Sequence, residues 1–328
     1  MATERNRTLD VLKGVCILFV LINHYDWSEP QRLKYLLHFT VAMAVPLFLI
    51  ITAYLSSLSF ERRSVHSVGT AYAPGELLRK WLRYTLPFLA AFGLYVLGVF
   101  IRSGIGKDSI EAGLFFLFGR THYGAYYYQI LWQLLLYFPV IYYIIKKWDV
   151  KGLYLCFFIN LAYEFLKSAY NMSEDCYILL VFRYTFVIAL GVFVAIGKKK
   201  VPVWLQIASA AAGVFFIVLY KYIAIKPWLI TAWKGTSVLA CLMLVPIAPL
   251  LLKRRLKFAP LELLGKASYN IFLCQIVYYN LVAPTVYGFV PNKLLQLLIN
   301  IAMNVSIGLV FYFVETPITR KVINRNLA

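Results

Sequence analysis

The first apolar segment of this chain carries ionisable side chains near both of its ends, at Lys13 and His24. Such groups cost free energy at membrane depth, so their presence there indicates function. A separation of eleven residues returns to nearly the same helix face and moves roughly 16 Å along the axis. We therefore expect both side chains to face one cavity. A neutral imidazole is suited to take a proton from an alcohol and return it; a histidine that only makes local hydrogen bonds beside Trp27 is the alternative.

A basic cluster opens the third apolar segment. Arg79, Lys80 and Arg83 enter it together, and Arg83 lies one helical turn beyond Arg79, so two guanidinium groups share a face. Guanidinium groups bind phosphate in a bidentate manner. Pro87, a turn further on, removes a helical N–H group and is expected to kink the helix. The cluster predicts a phosphate-binding site, with a topology signal and snorkelling toward lipid headgroups as the other interpretation.

Further charges lie within apolar segments. Arg183 is several residues inside the sixth segment, where an unpaired charge is costly. Its partner is expected to be Asp10, Glu164, Glu315 or the phosphate of a substrate. Asp10 also precedes Lys13 by one turn, so these two can form an i,i+3 ion pair. Glu164 and Glu315 likewise either neutralise an arginine or contact a ligand.

A polar strip over residues 265–270 opens the ninth apolar segment and includes Tyr269, and Gln275 follows it within the same segment. Glutamine donates and accepts hydrogen bonds, but it cannot act as a general base. His24 is therefore the candidate base within an apolar segment. The other histidines are predicted in loops or at helix edges: His38, His66 and His122.

The elements that must position these side chains are membrane helices. The chain has 328 residues, of which 62% are hydrophobic and only 14% are charged, unlike soluble domains. Its apolar stretches are near the length that spans a bilayer. They number ten and cover residues 8–25, 37–59, 80–101, 126–145, 152–168, 177–196, 203–221, 232–252, 268–288 and 294–314. The sequence thus predicts an all-α, polytopic membrane bundle forming a single domain over residues 1–328.

The distribution of basic residues orients this bundle. Of the 33 Lys and Arg, 20 fall on the side of both termini, 10 fall on the opposite side and three lie inside the segments. Cytoplasmic loops carry the excess of Lys and Arg, so both termini are predicted to be cytoplasmic.

The net charge of +19 does not indicate nucleic acid, because the basic residues form short clusters between apolar segments rather than one polar face. Topology and anionic lipid explain the pattern better. The five cysteines form no CxxC pair and no zinc-binding spacing with histidine, so no metal site is expected. The polar start lacks a cleavable secretory signal, and the first segment is expected to be retained.

These motifs, in this order, resemble the acyltransferase-3 family of integral membrane O-acyltransferases, including the branch that modifies sugars of surface polysaccharides. The pattern RxxDxxKG over residues 7–14, followed by Asn23-His24, is similar to the family's opening, in which a basic residue precedes a histidine by eleven places. The basic cluster with Pro87 resembles the family's third helix. Arg183 with Gly191 resembles the arginine and glycine of a middle helix.

The late part of the chain resembles the same family with two departures. Residues 268–275 look like a Ser-Tyr-x-x-Tyr-Leu-x-His signature in which Phe272 and Gln275 replace the Tyr and the His. Glu315-x-Pro317 is similar to the closing motif. The resemblance spans residues 7–317, and the glutamine weakens any mechanism that needs a second, late histidine.

The resemblance implies transfer of an acyl group, by analogy acetyl, from cytoplasmic acyl-CoA to a sugar or surface-glycan hydroxyl, in a bacterial inner membrane. The implied base is His24, with Lys13 and Asp10 beside it in the catalytic set. Lys13 either steadies the acyl carbonyl or a phosphate, or it pairs with Asp10. The residues assigned to the coenzyme are Arg79, Lys80, Arg83 and Arg183, and those assigned to the acceptor are Tyr269, Gln275 and Glu315. No cofactor beyond the acyl-CoA donor is expected.

A transporter or flippase of a charged lipid or sugar is the alternative. In that case the buried charges Lys13, Arg183 and Glu315 would line the pathway. The sequence halves show no repeat symmetry that would favour it.

Overall fold

The computed structural model describes residues 7–65, 68–121, 123–225 and 237–326. Within these ranges every regular element is a helix. The helices of the first half are α1 Arg7–His24, α2 Glu29–Lys34, α3 Ala44–Arg62, α4 Val68–Ala71, α5 Pro74–Ser103, α6 Lys107–Leu117, α7 Tyr127–Trp148 and α8 Val150–Ala169. Those of the second half are α9 Glu174–Leu179, α10 Thr185–Ile196, α11 Val203–Ile217, α12 Val238–Cys241, α13 Leu244–Leu252, α14 Ala259–Lys266, α15 Ser268–Leu281, α16 Ala283–Phe289 and α17 Lys293–Asn326. The all-α prediction is confirmed.

Several of these helices are long and apolar enough to cross a bilayer, so the chain is a multi-pass membrane protein. Among the described residues, five continuous segments qualify: Val41–Arg62, Gly69–Ser103, Tyr127–Trp148, Val203–Tyr222 and Lys293–Arg325. Helices α15 and α16 qualify as a pair, bent by 54°. The outer face of α17 exposes large apolar side chains such as Val310 and Phe313, as a lipid-facing helix does.

The remaining predicted spans are more polar or are broken. Helices α1 and α8 each carry three charged side chains. The predicted span 177–196 is divided into α9, a 3₁₀ turn over Val181–Tyr184 and α10. Residues 232–236 of the eighth predicted span lie outside the described residues, and α12 and α13 form the rest of it. The count of ten spans and the cytoplasmic position of the termini stay predictions.

Side chains from neighbouring helices satisfy the backbone where the span 177–196 breaks. Gln133 of α7 donates to the carbonyl of Leu179 (2.6 Å) and accepts from the N–H of Val181 (3.0 Å). Asn160 of α8 accepts from the N–H of Phe186 (3.2 Å). Non-helical backbone at membrane depth requires such partners inside the protein, and the break is therefore a built feature of the fold.

Polar contacts gather basic segments at one end of the bundle, which we call the basic end. Thr8 at the start of α1 donates to the carbonyl of Arg254 (2.8 Å). Lys146 near the end of α7 pairs with Glu61 near the end of α3 (3.0 Å). Further hydrogen bonds join the backbone N–H groups of two lysines to a carboxylate there: Lys198 and Lys199 to Asp149.

Helices α1 and α14 touch backbone to backbone. A Cβ atom on Gly265 would collide with the carbonyl oxygen of Asp10, and one on Gly14 would collide with the carbonyl oxygen of Leu261. Glycine permits this approach because it has no side chain. Helix α15 follows directly and packs against α1, α5 and α17. This packing brings the strip 265–275 alongside the face of α1 that carries Lys13 and His24.

Candidate active site

A cavity of about 450 Å³ opens between α1, α3, α5, α7 and α15. Four cationic side chains line it: Lys13, Lys80, Arg83 and Lys266. The described residues that line it include no carboxylate, and most of the remaining wall is aromatic or aliphatic. A cavity lined by several cations and otherwise by a mostly apolar wall suits a ligand that has a polyanionic head and a less polar arm.

The cations approach this cavity from different elements. Lys13 on α1 pairs with Asp10 at 2.8 Å, which is the i,i+3 ion pair considered from the sequence. Lys80 on α5 lies over the ring of Phe60 at 5.3 Å. Arg83 is exposed while it also lines the cavity, so it lies where the cavity opens. The charge of Asp10 balances Lys13, and the wall as a whole is left with a positive excess.

The structure separates the members of the basic cluster on α5. Lys80 and Arg83 line the cavity, whereas Arg79 is exposed and is not among its lining residues. The expected pair of guanidinium groups is thus replaced there by an ammonium and a guanidinium. Lys266, from the polar strip over residues 265–270, joins them.

Tyr269 also lines the cavity, as expected of a ligand-facing residue. Its hydroxyl donates to the backbone carbonyl of Tyr84 on α5 (2.9 Å). That carbonyl lies next to the one that Pro87 leaves without a helical donor, since proline has no N–H group. Tyr269 therefore fixes α5 against α15 at the cavity wall.

His24 does not line this cavity, so the expectation that Lys13 and His24 face one chamber is not met. Phe272 also lines the cavity, and its ring contacts that of Tyr127 edge-on (5.1 Å between centroids). A Cβ atom on Gly124 would lie 3.3 Å from Cε1 of His24 and 3.4 Å from the Phe272 ring. Both rings pack against the same backbone, and Phe272 lies at the boundary between the cavity and the histidine.

His24 belongs to a second group of side chains at the opposite end of α1. Its Nδ1 lies 2.7 Å from Oε1 of Gln275 on α15. The Gln275 amide, which is fully buried, donates from Nε2 to the carbonyl of Tyr123 (2.8 Å). The rings of Tyr123 and Tyr279 contact the imidazole edge-on, at 6.0 Å and 6.5 Å. His24 as a residue is half-buried.

Arg183 lies in the 3₁₀ turn between α9 and α10 and is 2% exposed. Its guanidinium lies over the rings of Tyr184 (4.7 Å), Tyr177 (5.0 Å) and Tyr126 (6.0 Å). Such cation–π contacts strengthen when the cation is desolvated. Arg183 is not among the residues that line the cavity. Its guanidinium is instead surrounded by these tyrosine rings within the broken span.

Of the carboxylates considered as partners of Arg183, Glu164 is near enough to interact with it electrostatically. The hydrogen bonds of Glu164 and Glu315 go to other groups. Glu315 on α17 accepts from the amide of Asn270 on α15 (2.8 Å) and from the hydroxyl of Thr319. Glu164 on α8 accepts from the hydroxyl of Ser237 (2.8 Å) and the N–H of Val238 (2.6 Å). Glu315 thus connects two helices and does not line the cavity.

The sequence reasoning missed the positions of Phe272, Lys266 and Tyr123. Lys266 stood within the polar strip that opens the ninth segment, and that strip was its only signal. Phe272 stood out only as a departure from the family's late signature, and Tyr123 looks like an ordinary aromatic residue in the sequence. His66 and His122 lie outside the described residues, and His38 lies outside α1, within hydrogen-bond distance of Glu29 (3.3 Å).

Comparisons with known proteins give a family and no individual relative. Neither the curated proteins nor the solved structures include a match to this chain. The family model for the acyltransferase domain of type 3 matches residues 6–315. This range contains α1, the basic cluster of α5, the broken span and α15, and it ends at Glu315. Because the match covers nearly the whole chain, the protein belongs to the acyltransferase-3 family of membrane acyltransferases.

Proposed function

We propose that this protein moves an acyl group, most simply acetyl, from cytoplasmic acyl-CoA to a hydroxyl group of a sugar or surface glycan, with His24 as the general base. The observation that carries the proposal is the cavity lined by Lys13, Lys80, Arg83 and Lys266, because Phe272 in the same wall and His24 both lie beside Gly124. We place the protein in a bacterial inner membrane, with the basic end in the cytoplasm.

The cavity supports acyl-CoA as the donor. The coenzyme carries several phosphate charges on its nucleotide and a thioester at the end of a long, less polar arm. Phosphates suit the cations at the opening, and the arm suits the aromatic and aliphatic wall beyond them. In this proposal Lys80, Arg83 and Lys266 contact phosphate, Tyr269 contacts the arm, and Arg79 contributes attraction from outside the cavity.

The position of His24 supports an acceptor that arrives from the other side. His24 lies eleven residues beyond Lys13 on α1, or roughly 16 Å along the helix axis. That is about half of the roughly 30 Å hydrocarbon core. A half-buried imidazole there can meet a hydroxyl group that enters from the outer side while the donor stays in the inner cavity.

The chemistry at His24 is deprotonation of the acceptor hydroxyl as its oxygen attacks the thioester carbonyl. The new ester C–O bond forms, the C–S bond breaks, and the proton passes from His24 to the departing CoA thiolate. Transfer through an acyl-histidine would use the same nitrogen as the nucleophile. Phe272 must move aside for the thioester to reach the imidazole by either route.

The roles of the remaining assigned residues follow from their contacts. Asp10 holds Lys13 in place at the cavity wall. Lys13 is therefore proposed to contact the donor and to take no part in the proton transfer at His24. Arg183 and Glu315 are proposed to keep helices in register, and Gln275 to act on His24 instead of on the acceptor. The acyltransferase family match favours this function over a transporter that uses the same buried charges.

Ligand-induced stabilisation tests the donor. CoA at about 100 times its Kd should stabilise the folded protein by about 2.7 kcal/mol, measured as a rise in melting temperature in nanodiscs. The Lys80→Ala/Arg83→Ala variant should lose most of this rise. Arg79→Ala is the matched control and should keep it. Absence of any rise with CoA or acetyl-CoA in the unaltered protein would contradict the proposal and favour a carrier.

A further inference from the structure

We propose that Gln275 is the positioning residue of His24. It holds the imidazole in the tautomer that carries its proton on Nδ1, which leaves Nε2 as the nitrogen that accepts a proton. The inference about the tautomer rests on the hydrogen bonds alone. The use of Nε2 as the base rests on the proposed function.

The backbone carbonyl of Tyr123 can only accept a hydrogen bond. The atom of the Gln275 amide that faces it at 2.8 Å must therefore be the Nε2 donor. This fixes the orientation of the amide and turns Oε1 toward Nδ1 of His24, at 2.7 Å. Because Oε1 can only accept, the proton of the neutral imidazole must lie on Nδ1.

The surroundings prevent the amide from turning over. Gln275 has no exposed surface, and a reversed amide would place two oxygens face to face at Tyr123 without water to separate them. A buried polar group left without its partner costs about 1–3 kcal/mol. The direction of both hydrogen bonds is therefore fixed: His24 Nδ1 donates to the Gln275 amide, and the Gln275 amide donates to the Tyr123 carbonyl.

The backbone at Tyr123 is shaped to present this carbonyl. Tyr123 has φ +66° and Gly124 has φ +91°. Both lie in the left-handed region of backbone conformation, which residues other than glycine adopt rarely. Tyr123 stacks on Tyr279 with centroids 5.1 Å apart, and Tyr279 donates to the carbonyl of Leu21 on α1 (3.0 Å). A disfavoured backbone held by such contacts is a feature of functional sites.

The groups around the imidazole leave Gln275 as the one side chain on α15 that is hydrogen-bonded to it among the described residues. Arg32 on α2 is a cation whose charge acts on it, and Arg32 is itself bonded to Asn23 (3.0 Å). Asp26 follows α1, and the phenols of Tyr123 and Tyr279 face the ring edge-on. A neutral amide orients the ring without adding a charge beside it.

Three variants at position 275 and on the same helix test the assignment. Gln275→Leu removes the acceptor oxygen and should allow both tautomers. Gln275→Glu keeps a carboxyl oxygen toward Nδ1, and its protonated form donates to Tyr123 as the amide does, so it should restore the wild-type tautomer. Asn280→Leu is the control, since Asn280 lies on α15 and donates only to its own helix, at Ile276.

The measurement is the ¹⁵N spectrum of ring-labelled histidine in the full chain in nanodiscs. It distinguishes protonated from unprotonated ring nitrogens. The chain has only four histidines, and His24→Ala identifies the signal of interest. We expect a single Nδ1–H tautomer in the wild type, Gln275→Glu and Asn280→Leu, and mixed tautomers in Gln275→Leu. An Nε2–H tautomer in the wild type, or an unchanged one in Gln275→Leu, would overturn the proposal.

Turnover of acetyl-CoA separates positioning from mere folding. Gln275→Leu should lower kcat by about tenfold. Loss of the base itself should lower kcat further, by about 10²–10⁴-fold. Its Kd for CoA should not change, because Gln275 does not line the cavity. Retained CoA binding also shows that the variant is folded. If the wild-type tautomer is as stated but His24→Ala turns over normally, the positioning stands and the proposed function fails.

Discussion

Phe272 lies at the boundary between His24 and the basic cavity. The Phe272 ring lines the cavity, the His24 ring does not, and both pack against Gly124. The two residues come from helices α15 and α1 and lie nearly 250 positions apart in the chain. In the proposed function, a donor bound in the cavity is kept from His24 until this aromatic side chain moves. Such a closed arrangement would protect the thioester from water when no acceptor is present.

Opening this boundary should uncouple the reaction. Phe272→Ala removes the ring between the cavity and His24, so water can reach the thioester. We expect acetyl-CoA hydrolysis without acceptor to rise by about tenfold, or about 1.4 kcal/mol in barrier height. The measurement is free CoA released by the purified protein, quantified by mass spectrometry. Phe272→Tyr keeps a ring in place and should retain the low basal rate; equal rates in Phe272→Ala and the wild type would show that Phe272 is no barrier.

The cations of the cavity should determine affinity for the donor. Arg83→Ala and Lys80→Ala each remove a charged hydrogen-bond donor, which is worth about 1.5–3 kcal/mol. We expect the KM for acetyl-CoA to rise by about ten- to 100-fold in each, with a smaller effect on kcat. Lys266→Ala should behave in the same way. Arg79→Ala should change KM little, because Arg79 lies outside the cavity; a KM that depends on Arg79 and not on Lys80 would reverse this assignment.

The tyrosine-lined site of Arg183 should matter for stability rather than for the donor. Each desolvated cation–π contact contributes on the order of 1–2 kcal/mol, and Arg183 makes three. Arg183→Met is therefore expected to lower the melting temperature clearly while the Kd for CoA stays unchanged. Isothermal titration with CoA, beside a thermal melt, checks both. A weakened Kd in a stable Arg183→Met variant would instead support phosphate binding.

The contact between α1 and α14 gives a prediction about packing. In Gly265→Ala the new Cβ collides with the Asp10 carbonyl, and overpacking of this kind costs about 1–3 kcal/mol. Gly93→Ala on α5 is the control, since nothing lies within 4 Å of its added Cβ. Because alanine favours a helix over glycine by about 0.5–1 kcal/mol, the control should be neutral or slightly more stable. The melting temperatures of the two variants should move apart, and equal values would refute the close approach.

Local spacing was enough to predict much of this structure. The helical class followed from apolar length, and the ion pair of Asp10 with Lys13 followed from an i,i+3 separation. The sequence also predicted a basic cluster at the start of one helix, and two of its three members, Lys80 and Arg83, line one cavity. These features depend on one helix at a time, so the sequence carries them directly.

Features that depend on several helices could not be derived in this way. The rotation of α5, which turns Lys80 inward and Arg79 outward, is set by its packing against neighbouring helices. The break near Leu180 leaves no mark in the apolar composition of its own segment. The hydrogen bonds that the broken backbone needs come from Gln133 on α7, a different helix. The partition at Phe272 arises where α15 meets Gly124, between residues far apart in the chain.

The central claim is that His24 is the base of an acyl transfer whose donor binds in the cavity beside it. The most direct test compares His24→Ala with the wild type in nanodiscs, measuring Kd for CoA and the turnover of acetyl-CoA with sugar acceptors on one preparation. The account predicts an unchanged Kd and a kcat lower by about 10²–10⁴-fold. Full turnover by a His24→Ala protein that binds CoA normally would contradict it.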